Sequence, residues 1–130
     1  MLVTRGAEDG LHGRPLLVAH LDPGGDLWFA TDRNTGKLDE LKQPVEACVT
    51  MSGCGEYASV TGLAAEVYDL AKISEFWKES WRTWFPDGAA DLSLTLVHLV
   101  ADFGEFWSGP EAIRMKHFFA LRDVELMVDG

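Results

Sequence analysis

The sequence predicts a small, mostly β domain: an antiparallel barrel with helices inserted at two points. Three observations lead there. Short apolar and β-branched runs recur along the chain, Gly-, Pro- and Asp-rich corners separate them, and helical spacing appears in only a few stretches. The first strands have no crossover helices between them, which argues against a doubly wound parallel sheet.

The 130 residues suit one domain, 1–130, with a core that needs no staples. Apolar residues make up 47% and charged residues 25%, an ordinary globular balance. The 21 acids outweigh 11 bases for a net charge of −10, a surface that repels nucleic acid and anionic membrane. Two cysteines, Cys48 and Cys54, are too few for a disulfide framework or a zinc site. With no secretory apolar region at Met1, a cytoplasmic location is expected. The longest apolar run, near Leu94 to Ala101, is interrupted by Thr95 and His98 and falls short of a membrane span.

In chain order, MLVTR reads as a strand, Glu8-Asp9-Gly10 as a turn, and RPLLVAHLD (14–22) as a second strand. Pro23-Gly24-Gly25 is a hairpin signal before DLWFAT (26–31), so the three strands are expected to form a meander. Thr35 can cap a short helix through Gln43, which Pro44 ends. VEACVTM (45–51) and YASVTGLAAEVY (57–68) read as strands four and five, with a bulge or bend at Gly62. Asp69 can cap a second helix carrying Ile73, Trp77, Trp81 and Trp84 at helical spacing, with Trp77 and Trp81 expected in core or dimer packing. Pro86-Asp87-Gly88 stops it. LSLTLVHLVADFGEFW (92–107) reads as a long or bent strand, and Pro110 as the opening of a C-terminal helix to about Arg122. Residues 123–130 suit either a helical extension or an edge strand.

No HExxH, CxxC, phosphate loop or GxSxG occurs, and the four histidines are scattered, so no metal site is expected. What stands out is the corner in LWFATDRNTGKLDEL (27–41), where positive charge gathers in an acidic chain. A helix start favours an anion through its free N–H groups. Arg33, Lys37, Thr35 and Thr31 surround that start, and Arg14 on the neighbouring strand can point to it, a set that suits a dianionic phosphate. A capped surface helix with scattered cations explains the same residues equally well.

The order RPL (14–16), LWFATDRNTGKLDEL, YASVTGLAAEVY, WFPDG (84–88) and EFWSGP (105–110) resembles the pyridoxamine 5′-phosphate oxidase-like superfamily, in its general stress protein branch. Each motif alone is weak; the five in order span nearly the whole chain. The resemblance implies a six-stranded antiparallel split β-barrel of Greek-key type with two to three peripheral helices. It also implies a homodimer with FMN, or FAD, in interface clefts. It places Arg14, Thr31, Arg33, Thr35 and Lys37 around the phosphate, and runs the backbone of Pro15, Leu16 and Leu17 along the isoalloxazine ring. Ala30 and Thr31 would face the ring's polar edge, and Tyr57 and Ser59 its side. Trp84 and Trp107 match aromatic positions expected from the partner subunit. After EFWSGP, Ile113 stands where the true oxidase carries an arginine, with Arg114 and His117 nearby, so oxidation of pyridoxamine phosphate is not expected. The function implied is flavin-dependent redox chemistry on a small substrate. The alternative is a non-catalytic flavin-binding dimer for storage or sensing, and a plain structural dimer is a third reading.

Overall fold

The computed structural model describes residues 1–6, 10–34, 38–53, 55–108 and 113–118. Strands β1 (Leu2–Gly6), β2 (Gly10–Arg14), β3 (Leu17–Leu21), β4 (Asp26–Asp32), β5 (Val45–Gly53), β6 (Glu56–Val67), β7 (Leu94–Ser108) and β8 (Ile113–Phe118) form one eight-stranded sheet. Its order is β2-β1-β5-β6-β7-β4-β3, with β8 beside β7, and every pairing is antiparallel. The mostly β, antiparallel expectation therefore holds, while the strand count is eight rather than six.

The two ends of the sheet path, β2 and β3, are joined by only Pro15 and Leu16. A strand rises about 3.3 Å per residue, so these opposite margins meet and the sheet has to curl round on itself. Among the described residues no ladder joins β2 to β3; the seam is covalent.

Several expectations are corrected by the register. The first three strands are not a meander: β1 pairs with β2 and β5, and the hairpin after it is β3–β4. GLHGR, read as a turn and a strand start, is a strand in its own right because β1 supplies its partner from Leu2↔Arg14 to Gly6↔Gly10. Glu8 and Asp9 lie outside the described residues, as do Cys54, Pro110 and 119–130. The helix expected through Gln43 is reduced to a 3₁₀ turn at Leu38–Leu41, whose two leucines are buried. The C-terminal helix is replaced over Ile113–Phe118 by β8. Its cause is visible in β7: β4 covers that strand's edge only from Leu94 to Val100, and β8 covers it from Phe103 to Ser108.

The Asp22–Asp26 corner forms as its sequence demands, with Gly25 at a φ of 106° that side chains rarely adopt. Gly62 marks a register shift in β6, as its position predicts.

Apolar side chains fill two spaces. Leu2, Leu27, Phe29, Val49, Val60, Val97 and Leu99 pack inside the curl. Ala30, Ile73, Trp81, Phe85, Leu94 and Leu96 form a second core on the outer face of β4 and β7. Helix α1 (Leu70–Phe76), capped by Asp69 as expected, and the 3₁₀ segment Glu79–Thr83 lie over that face. The N-terminal half of β7 is therefore covered on both sides, which explains its nearly unbroken apolar run.

Candidate functional site

The seam between β2 and β3 opens into a cleft of about 340 Å³ lined by Pro15, Leu16, Leu17, Ala30, Thr31, Asp32, Trp84 and Phe85. Six of these residues are on the sequence-derived list: Pro15, Leu16, Leu17, Ala30, Thr31 and Trp84. Period-two geometry splits the floor. Leu16 packs toward the inner core and Leu17 toward the outer one, while Leu17 pairs with Ala30 across the hairpin. Thr31 Oγ1 donates to the Pro15 carbonyl at 3.2 Å, tying β4 to the seam. Phe85 is buried below, and Trp84 beside it keeps 60% of its surface exposed. Asp32 accepts the Asn34 backbone N–H at 2.8 Å, which shapes the corner after β4.

Arg14, one residue before the cleft, is only 2% exposed. Its Nη2 lies 3.3 Å from Glu40 Oε1 in the 3₁₀ turn. Its Nε and Nη1 find no acceptor among the described residues. The same Glu40 oxygen accepts Thr4 Oγ1 at 2.7 Å, and Oε2 is 2.6 Å from His12 Nδ1. Burial alone would raise the Glu40 carboxyl, but hydrogen bonds from Thr4, His12 and Arg14 hold it below its ordinary value. Leaving a buried guanidinium half satisfied is costly.

Arg33, the other described cation of the corner, is already engaged. The Arg33 guanidinium sits 4.2 Å from the Tyr68 ring centroid, with Nε 3.9 Å from Glu66 Oε2. Glu66 is nearly buried, accepting Thr95 Oγ1 at 2.8 Å and pairing with Lys42 Nζ at 3.0 Å. Thr35 and Lys37 lie outside the described residues.

Tyr57 and Trp107 are cross-strand partners on β6 and β7. They line a second cleft of about 430 Å³ with Met51, Ser52, Glu56 and Phe106. Ser59 lines neither cleft; its Oγ lies 3.4 Å from Cys48 Sγ. The sequence-derived residues thus fall into three places: the seam cleft, the buried Arg14 cluster and the Tyr57–Trp107 cleft. Sequence reasoning missed Asp32 and Phe85 in the seam cleft, and Thr4, His12 and Glu40 around Arg14. Asp32 and Phe85 adjoin residues that were singled out, whereas the Arg14 partners converge only through the β1–β2 register.

An apolar slot with Trp84 on its rim suits a flat ring, Thr31 and the seam backbone suit that ring's polar edge, and Arg14 suits an anion. A family model described as pyridoxamine 5′-phosphate oxidase like matches residues 1–126. The chain belongs to the pyridoxamine 5′-phosphate oxidase-like family. Among solved structures, one from Clostridium acetobutylicum is similar with a TM-score of 0.75 at 17% identity, covering 91% of this chain and 83% of its own. That protein is described as related to general stress protein 26 of B. subtilis, and at this identity the likeness speaks for the fold. A Xanthomonas citri general stress FMN/FAD binding protein is similar with a TM-score of 0.69 at 27% identity, over 98% of this chain and 87% of its own. The protein bli-3 of Neurospora crassa is 33% identical over 91 residues, or 67% of this chain. The chain spans only 44% of bli-3. No described helix is long and apolar enough to cross a membrane.

Proposed function

We propose that this chain is a flavin-binding protein of the general stress type, holding FMN or FAD at the seam cleft and using it for redox chemistry on a small substrate. The observation that carries the reading is the seam itself. An apolar slot under an exposed tryptophan starts one residue after Arg14, a buried arginine with two nitrogens that have no partner among the described residues. Bound flavin would supply hydride or electron transfer at its ring. Leu16, Leu17 and Ala30 would exclude water from one face of that ring, and Trp84 would shield its rim. Thr31 holds the floor in place through Pro15. Arg14, with Lys37 and Thr35 from the corner, would take the phosphate. Arg33, tied to Glu66 and Tyr68, fits a supporting role at the edge of this set. A homodimer would bury Trp84 and the Tyr57–Trp107 cleft against a second copy, and light scattering at twice the chain mass is the expected result.

Titration of the purified protein with FMN, read by quenching of flavin fluorescence, tests the reading. Tight one-to-one binding is expected, and Lys37→Ala should weaken it by about 1–3 kcal/mol, the loss of a charge-assisted bond. Full flavin occupancy in that variant would count against the phosphate corner. NAD(P)H consumption above the free-flavin background is the expected sign of turnover; saturable binding without it would favour storage or sensing.

A further inference from the structure

Trp84 lines the seam cleft yet keeps 60% of its surface exposed, so its backbone, more than packing, decides where its ring stands. That backbone is the run Trp84-Phe85-Pro86, which leaves the 3₁₀ segment Glu79–Thr83 and leads to the 3₁₀ turn Gly88–Ala90. One side of the run is anchored by Phe85, which is buried in the outer core. The backbone N–H groups of Trp84 and Phe85 both donate to the Trp81 carbonyl at 2.9 Å. The other anchor is Arg82. Its Nε and Nη2 donate to Glu79 Oε1 and Oε2 at 3.0 and 3.1 Å, the two-bond fork that fixes a guanidinium plane. Its Nη1 then reaches across the run and donates to the Pro86 carbonyl at 3.2 Å. Glu79 Oε2 also accepts Trp77 Nε1 at 2.8 Å, and the Trp77 ring centroid lies 5.5 Å from Arg82 Cζ. Gly88 lies against the same guanidinium, where a Cβ would stand 3.4 Å from Nη1.

We propose that Arg82, aligned by Glu79, is a positioning residue of the seam cleft: through the Pro86 carbonyl it holds Trp84 at the rim, and so raises affinity for a flat aromatic ring that it does not itself touch. That the ring belongs to a flavin rests on the reading above; that Arg82 fixes Trp84 does not. The Glu79–Arg82 pair is well exposed, and ion pairs of that kind add little to stability. Spanning a loop gives this one a different use. A rim held in place before the guest arrives has less backbone and rotamer freedom to lose on binding. Lysine cannot replace Arg82, because a point charge lacks the fork that engages Glu79 while a third nitrogen reaches Pro86. The ionised carboxylate that the fork needs is secure: hydrogen bonds from Arg82 and then Trp77 pull the Glu79 carboxyl down to about 2.

Calorimetric titration with riboflavin of wild type, Arg82→Met, Trp84→Ala and the double variant tests this. Arg82→Met should bind riboflavin about threefold more weakly, part of the worth of an aromatic contact, with its melting temperature near wild type. In the Trp84→Ala background the same substitution should change riboflavin affinity no further, because the residue it acts through is gone. An equal further loss in that background would mean that Arg82 merely supports the fold, and would overturn the proposal. Unchanged affinity in Arg82→Met alone would do the same. Arg82→Lys should behave as Arg82→Met, and takes its place in both backgrounds if Arg82→Met does not fold. Absence of riboflavin binding by the wild type would sink the flavin reading alone. Amide hydrogen exchange without ligand would then decide: residues 84–90 should exchange at least about threefold faster in Arg82→Met, and equal rates would overturn the positioning role.

Discussion

Gly62 shows how much one side chain can decide. A Cβ built there would lie 2.1 Å from the Val100 carbonyl oxygen and 2.8 Å from Ala101 Cα, both backbone atoms that cannot step aside. Gly62→Ala should therefore cost about 3 kcal/mol or more, the upper range of overpacking, seen as a lower urea midpoint. The bend was legible in the sequence because a glycine interrupts a β-branched run. Arg14 was legible as a strand cation, but its partner was not. Glu40 comes within reach only through the Leu2↔Arg14 and Thr4↔His12 register, which depends on a hairpin that looked like a turn. Trp84 belongs to this scale too. Being largely exposed, Trp84→Ala should leave the melting temperature near wild type while weakening FMN binding by about 1 kcal/mol, the worth of an aromatic contact. Paired thermal melts and flavin titrations would check both halves of that expectation.

Helix α1 and its neighbours show where local preference loses to tertiary contacts. Asp69 accepts the backbone N–H groups of Ala71 and Lys72 at 2.9 and 3.2 Å, so Asp69→Ala should cost about 1 kcal/mol in chemical denaturation. The tryptophan spacing predicted one helix to Trp84, yet α1 ends at Phe76 and Trp77 turns to an extended ψ of 135°. Lys78 then donates to the Ala19 carbonyl of β3 at 2.7 Å, a bond no helical continuation is needed to make. Trp81 still reaches the outer core, as the sequence suggested, and meets Trp77 edge-on at 5.7 Å. Trp28 is stacked on His98 at 4.1 Å and tilted against Phe76 at 5.6 Å, which seals the edge of that core. The C-terminal segment misled for a similar reason. Its helical look is local, whereas the unpaired half of β7 is a demand made by the whole sheet.

At the scale of the molecule, the fold class was readable because alternation and turn residues report on each strand directly, whereas the residues that line the seam cleft were named as such only through the family resemblance. Strand order and the buried cluster were not readable, since both depend on which distant segments become neighbours. That cluster also ties stability to acid. Glu40 is held below its ordinary 4.5, so what it contributes is fully present above that value and is lost as pH falls through the lower folded-state value. In acid titrations followed by circular dichroism, wild type should lose stability more steeply below pH 4.5 than Glu40→Gln, which has no carboxylate to protonate. The net charge of −10 keeps the surface as a whole unfavourable to polyanions.

Pro15 and Leu16 serve both as the tether between the sheet's two margins and as part of the wall against which a guest would lie. A guest wedged there braces the curled sheet as a keystone braces an arch, so filling the slot and holding the curvature become one mechanical event.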